Sequence, residues 1–140
     1  MIQRLSVSNY RSLGEKVEVH FGAFTALVGP NGAGKSNVVD ALRFVSDAMH
    51  MGLSGAITHR NGIDAVRRWS GGHPFNSAIH LDLILESGRP ASYSFELRGD
   101  SAEEYKVKLE EAWVRNGNDE VRFRIENGQW AVGPPGLKPP

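Results

Sequence analysis

The 140-residue chain has no cysteine, which excludes disulfides, thiolate nucleophiles and zinc sites built on cysteine pairs. It also lacks net charge: sixteen basic residues balance sixteen acidic ones, so no overall field draws nucleic acid to its surface. Any DNA contact must be local. Arg60, Arg67 and Arg68 form the one modest basic cluster, readable as a contact patch or as a solvated face. No run approaches the roughly 18 apolar residues of a membrane helix. The polar start Met1-Ile2-Gln3-Arg4 leads into no secretory apolar stretch, so no membrane partner is expected and a cytoplasmic protein is. The five histidines (His20, His50, His59, His73, His80) never stand four apart beside a carboxylate, and they read as strand and loop residues with no metal assigned.

What is present suffices for one folded unit, with 40% hydrophobic residues. Leu5 and Val7, then Val17, Val19 and Phe21, alternate with polar residues as half-buried strands do, with residues 9–15 as their connection. Phe24-Thr25-Ala26-Leu27-Val28 is apolar on both faces and predicts a strand in the middle of a covered sheet. From Lys35 to about His50, Val38, Val39, Leu42, Val45 and Met49 recur at helical spacing. Residues 51–77 are glycine-rich with Pro74 and read as a loop-rich excursion, with a short helix around residues 63–69. Alternation then returns four times: residues 79–85, 93–97, 105–109 and 121–125. Ser87-Gly88-Arg89-Pro90, Gly99-Asp100 and Asn116-Gly117 separate these runs, which predicts antiparallel hairpins joined into a meander. Asn127-Gly128 leads to Trp130 and Val132, after which a Pro/Gly-rich tail, residues 133–140, cannot continue a central strand.

Between the apolar run and the helix lies Gly29-Pro30-Asn31-Gly32-Ala33-Gly34-Lys35-Ser36, the pattern G-x-x-x-x-G-K-S. Each fixed position has a mechanical reason. Glycines let the backbone curl until several amide N–H groups point at phosphate oxygens, and side chains at Gly29 and Gly34 would obstruct that curl. Lys35 reaches the terminal phosphates, and the Ser36 hydroxyl ligates the Mg²⁺ that bridges them. The helix N-terminus adds its positive dipole end.

Asn9-Tyr10-Arg11-Ser12, the loop with its following Asn37, and Asp40-Ala41-Leu42 together resemble the amino terminus of RecF and chromosome-maintenance-type ATPases, and of AAA-type ATPases of the overcoming-lysogenization-defect class. The resemblance covers about the first 50 residues, and more loosely His59-Arg60-Asn61-Gly62-Ile63-Asp64-Ala65-Val66-Arg67. It implies an α/β fold: a P-loop NTPase, the amino-terminal lobe of an ABC-type head, with a mixed sheet and an antiparallel meander, spanning residues 1–132. It also implies ATP and Mg²⁺ held by residues 29–37. Arg11 matches a basic position that approaches the phosphates in some relatives, and a surface arginine after a strand is the competing reading. In such heads a signature motif from a second subunit closes over the γ-phosphate, so an ATP-dependent homodimer or related head is implied, with DNA a partner of the full-length protein.

Hydrolysis needs a carboxylate on Mg²⁺ and a group that orients water. In the family these follow four apolar residues, and none of the six aspartates here does. Leu83-Ile84-Leu85-Glu86 lacks the preceding aspartate. Leu53-Ser54-Gly55 and Ser70-Gly71-Gly72 imitate the signature motif but read as loop glycines. The expectation is the first part of a longer ATPase serving a DNA-linked or defence process. The alternative is a nucleotide-binding regulatory or assembly module without catalysis. A P-loop kinase fits less well, because such kinases continue in parallel strand and helix units.

Overall fold

A computed structural model describes residues 1–70, 73–99 and 104–133. Nine strands and one helix follow in order among the described residues: β1 (Ile2–Ser8), β2 (Val17–His20), α1 (Lys35–Thr58), β3 (Trp69–Ser70), β4 (His73–Pro74), β5 (Ser77–Ile84), β6 (Pro90–Arg98), β7 (Lys106–Asn116), β8 (Asp119–Glu126) and β9 (Gln129–Val132). Seven of them form one sheet in the order β2-β1-β5-β6-β7-β8-β9, and β3 pairs with β4 as a separate two-stranded ribbon. Residues 134–140 of the expected tail lie outside the described residues.

Alternation in the sequence sorts the two faces of the sheet. One cross-strand row reads Val19, Leu5, Leu81, Tyr93, Ala112, Phe123, and the next reads Val17, Val7, Ile79, Phe95, Glu110, Ile125. The opposite face carries Glu18, Ser6, His80, Ser94, Glu111 and Arg124 in register, laced by ion pairs such as Arg4–Asp82 at 2.8 Å and Arg122–Glu111 at 2.8 Å. Such exposed pairs add little stability, but they keep this face wet. On the inner face Glu110 is the exception, and the Tyr93 hydroxyl donates to it at 2.7 Å. Burial, with that carboxylate beside it, pushes the Tyr93 phenol well above its ordinary range.

The described helix covers the apolar face. Val38, Ala41, Phe44, Val45 and Ala48 fall at helical spacing and are buried. Phe44 sits between Tyr10 (centroids 5.7 Å apart) and Phe95 (5.5 Å, edge-on), and Tyr93 stands 6.0 Å from Phe95. The meander turns follow their residue types. Asn127 (φ 50°) and Gly128 (φ 78°) are both left-handed, as a two-residue hairpin between Glu126 and Gln129 requires.

Several expectations are corrected. The sheet is not mixed among the described strands: every pairing is antiparallel. Residues 24–28 form no strand, and Phe24 and Val28 are 88% and 92% exposed, because no described strand runs beside them to take their backbone hydrogen bonds. The helix does not end near His50 but breaks at Gly52 (φ 77°, ψ 159°) and resumes to Thr58, burying Leu53, Ala56 and Ile57. Leu53-Ser54-Gly55 is therefore helical rather than loop, while Gly71 and Gly72 lie outside the described residues. Residues 63–69 form no helix, only a turn in which the Val66 and Arg67 amides donate to the Ile63 carbonyl.

Phe44→Ala removes the ring that joins helix, sheet and residue 10, and is expected to cost about 3–5 kcal/mol in urea denaturation. A loss below about 1 kcal/mol would show that α1 is held by something other than this cluster.

Candidate functional site

The loop 29–34 leaves the exposed segment and enters α1 through two glycines in the left-handed region, Gly32 (φ 84°) and Gly34 (φ 88°). A β-carbon at Gly34 would come within 2.8 Å of Leu13 Cδ2, so both conformation and space demand glycine there. Gly29 differs: a β-carbon there would meet only Ala33 Cβ at 3.5 Å, an ordinary contact. The obstruction expected at Gly29 is not a steric one in this structure.

Helix α1 begins with no side-chain cap and no acidic residue in its first turn. Its orphan N–H groups and positive end thus remain directed at the depression of about 440 Å³ lined by Ser12, Asn31, Gly32, Gly34, Lys35, Ser36 and Asn37. The Lys35 ammonium donates to the Gly29 and Pro30 carbonyls, each at 2.7 Å, and the Ala33 amide donates to Pro30 at 3.3 Å, which closes the turn. All nine residues from Gly29 to Asn37 thus belong to one local structure, six as lining and three as its frame. A glycine-cornered loop, an uncapped helix end, a flexible cation and a hydroxyl fit a polyphosphate with a hard divalent ion.

Residues 9–13 form a strap across the first turns of α1. Ser12 Oγ accepts from Asn37 Nδ2 at 2.5 Å, the Tyr10 hydroxyl donates to Asp40 Oδ2 at 2.5 Å, and Arg11 Nε reaches the same oxygen at 2.8 Å. Arg11 is therefore beside the loop but tied to α1; it does not line the depression. Burial, then the hydrogen bond and charge of Asp40, push the Tyr10 phenol far above its usual value. Ser12, Leu13 and Asp40 are the neighbours that motif reasoning did not assign to the site, although Ser12 and Asp40 stand inside the quoted signature.

Two of the three arginines of the basic cluster are spent internally. Arg60 holds Asp47 at 2.7 Å and stacks on Phe44 at 4.9 Å. Burial disfavours its cation, yet the Asp47 hydrogen bond and the nearby acidic groups outweigh this and raise its pKa. Arg67 is buried, donates to the Gly99 carbonyl at 3.3 Å, and has its pKa lowered by burial. These two do not form an exposed DNA-contact patch.

Loop, helix and antiparallel meander define the amino-terminal lobe of a P-loop NTPase head. Residues 1–60 match the RecF/RecN/SMC N terminal domain, and the chain is similar to the amino-terminal part of SMC/RecF-like ABC ATPase heads. It is 30% identical over 118 residues to Structural maintenance of chromosomes protein 1 of Schizosaccharomyces pombe, covering 76% of this chain and 9% of that protein. It is 28% identical over 127 residues to Chromosome partition protein Smc of Halobacteriovorax marinus, covering 90% of this chain and 10% of that protein. The chain thus spans about a tenth of these relatives. A solved SMC ATPase, described for ATP-driven dimerization and DNA stimulated activation, aligns with TM-score 0.52 and 22% identity over 94% of this chain and 72% of that one.

Gly34→Ala is expected to destabilise the chain by about 1–3 kcal/mol, and Gly29→Ala by under about 0.5 kcal/mol. Thermal denaturation of the two variants side by side checks this, and equal losses would refute the assigned difference.

Proposed function

We propose that this chain binds ATP with Mg²⁺ through residues 29–37 and serves as one half of an ATP site in a dimeric head. The observation that carries the reading is the uncapped amino end of α1 entered through left-handed Gly32 and Gly34, with Lys35 and Ser36 at the same depression. Lys35, on its flexible stem, would exchange the Gly29 and Pro30 carbonyls for phosphate oxygens. Ser36 would offer its hydroxyl to Mg²⁺, and the Asn31 and Asn37 side chains would border the phosphates. Bound Mg²⁺ supplies charge neutralisation at the terminal phosphates.

Residues 1–132 act as the lobe that presents this half-site. Turnover, in this reading, draws its carboxylate and its signature motif from elsewhere. The nearest acidic residue along α1, Asp40, already accepts from Tyr10 and Arg11, and the first helical turn contains none. The exposed apolar segment 24–28 is the place where strands from the rest of the head pair, which accounts for an apolar run with Phe24 and Val28 in solvent. Relatives named for chromosome maintenance and partition support a DNA-linked process in the cytoplasm or on the chromosome. No described helix is long and apolar enough to cross a membrane.

The second reading, a nucleotide-binding module without catalysis, is favoured by the engagement of Asp40. Isothermal titration with ATP and Mg²⁺ tests the binding step common to both. Lys35→Ala is expected to weaken affinity by roughly thirtyfold or more, and equal heats from wild type and variant would reject it. Phosphate release by this chain, abolished by Lys35→Ala, would reject the non-catalytic reading.

A further inference from the structure

The stretch following α1 is not absorbed by phosphate binding, yet its first arginine is built into the helix that carries the loop. The break at Gly52 and the left-handed pair Asn61 (φ 65°) and Gly62 (φ 112°) bring the chain back along α1. Arg60 is thereby laid over one stripe of the helix. Its guanidinium lies 2.7 Å from Asp47, 4.9 Å from the Phe44 ring centre and 3.8 Å from Asp40 Oδ1, and its side chain is only 9% exposed. Asp40 faces the other way with Oδ2, where Tyr10 and Arg11 donate. Two carboxylates and two guanidiniums therefore balance at the second to fourth turns of α1, just behind the loop.

The same returning segment holds the strap from its far side. The Arg11 amide donates to the Val66 carbonyl at 2.8 Å, and the Arg68 amide to the Asn9 carbonyl at 2.9 Å. These clamps hold Asn9 (φ 51°) and Arg11 (φ 49°) in the left-handed region, which asparagine tolerates and arginine rarely adopts. The strap in turn touches the loop at two points, Leu13 against Gly34 and Ser12 with Asn37.

We infer that Arg60 is a positioning residue for the phosphate loop, acting through Asp40: it offsets the Asp40 and Asp47 charges and so holds Arg11 and the strap in the shape that fits a polyanion. This rests on the nucleotide-binding reading above for its affinity arm alone. Without Arg60, Asp47 loses its ion pair, Asp40 keeps only Tyr10 and Arg11, and two carboxylates face one guanidinium, so an uncompensated negative charge stands behind the loop.

The test is a charge cycle on the chain, with Mg–ATP affinity measured for wild type, Arg60→Met, Arg60→Lys, Asp40→Asn and the Asp40→Asn/Arg60→Met double variant. Arg60→Met is expected to weaken binding about tenfold when Asp40 is intact and no more than about twofold when Asp40→Asn is already present. Arg60→Lys, which keeps the charge, should stay within about threefold of wild type. Equal losses in both backgrounds would reduce Arg60 to a structural pin and overturn the inference. A nucleotide-free arm follows hydrogen exchange at the Arg11 and Leu13 amides, which should quicken in Arg60→Met and not in Arg60→Lys while the β5 and β6 amides are unchanged. Unaltered exchange at Arg11 and Leu13 in Arg60→Met would also overturn it. If wild type and Lys35→Ala bind ATP alike, the nucleotide reading fails, and the exchange arm still decides the role of Arg60.

Discussion

Everything at the site depends on Phe44. Its ring is clasped between Phe95 on the sheet and Tyr10 on the strap, with Arg60 stacked above it. This one contact fixes where α1 crosses the sheet, and therefore where its amino end points. The P-loop has no packing of its own comparable to this: residues 29–33 are exposed, and the loop takes its position from the helix it enters and from Leu13 beneath Gly34. Burial of apolar side chains between α1 and the inner face of the sheet thus supports a short, solvent-facing backbone feature.

Most of the sheet was legible because half-buried antiparallel strands write their two faces into the sequence as alternation. Ile79, Leu81 and Phe95 alternate cleanly and lie where that pattern places them. Alternation marks β7 only to Leu109, because Glu110 interrupts the inner row at the point where Tyr93 satisfies it, yet the strand runs on to Asn116. The helix beyond Gly52 was hidden for a similar reason. A glycine with positive φ breaks the helical pattern, but Leu53, Ala56 and Ile57 still find the core. Local glycine content argued for a loop, and tertiary burial overrode it.

The segment 24–28 shows the opposite failure. Its apolar composition signals a place for a covered strand, but a strand exists only where a neighbour takes its N–H and C=O groups, and the described chain offers none. The turn into α1 was readable from the glycine spacing, since Gly32 and Gly34 take the left-handed conformations it needs. Ser12, Asp40 and Arg60 were not, because their roles arise from contacts between segments far apart along the chain: Ser12 with Asn37, Arg11 with Asp40, Arg60 with Asp40. The arginines of the 60–68 stretch looked like a surface charge cluster, and folding turns Arg60 and Arg67 inward.

The central claim is that the amino end of α1, with its two left-handed glycines, is a phosphate site. Backbone amide NMR of the chain titrated with Mg–ATP examines it most directly. The account predicts that the largest shifts fall on Gly32, Gly34, Lys35 and Ser36, with smaller ones on Ser12 and Asn37. Shifts spread over the meander, or none at the loop under conditions where the chain is folded, would contradict it.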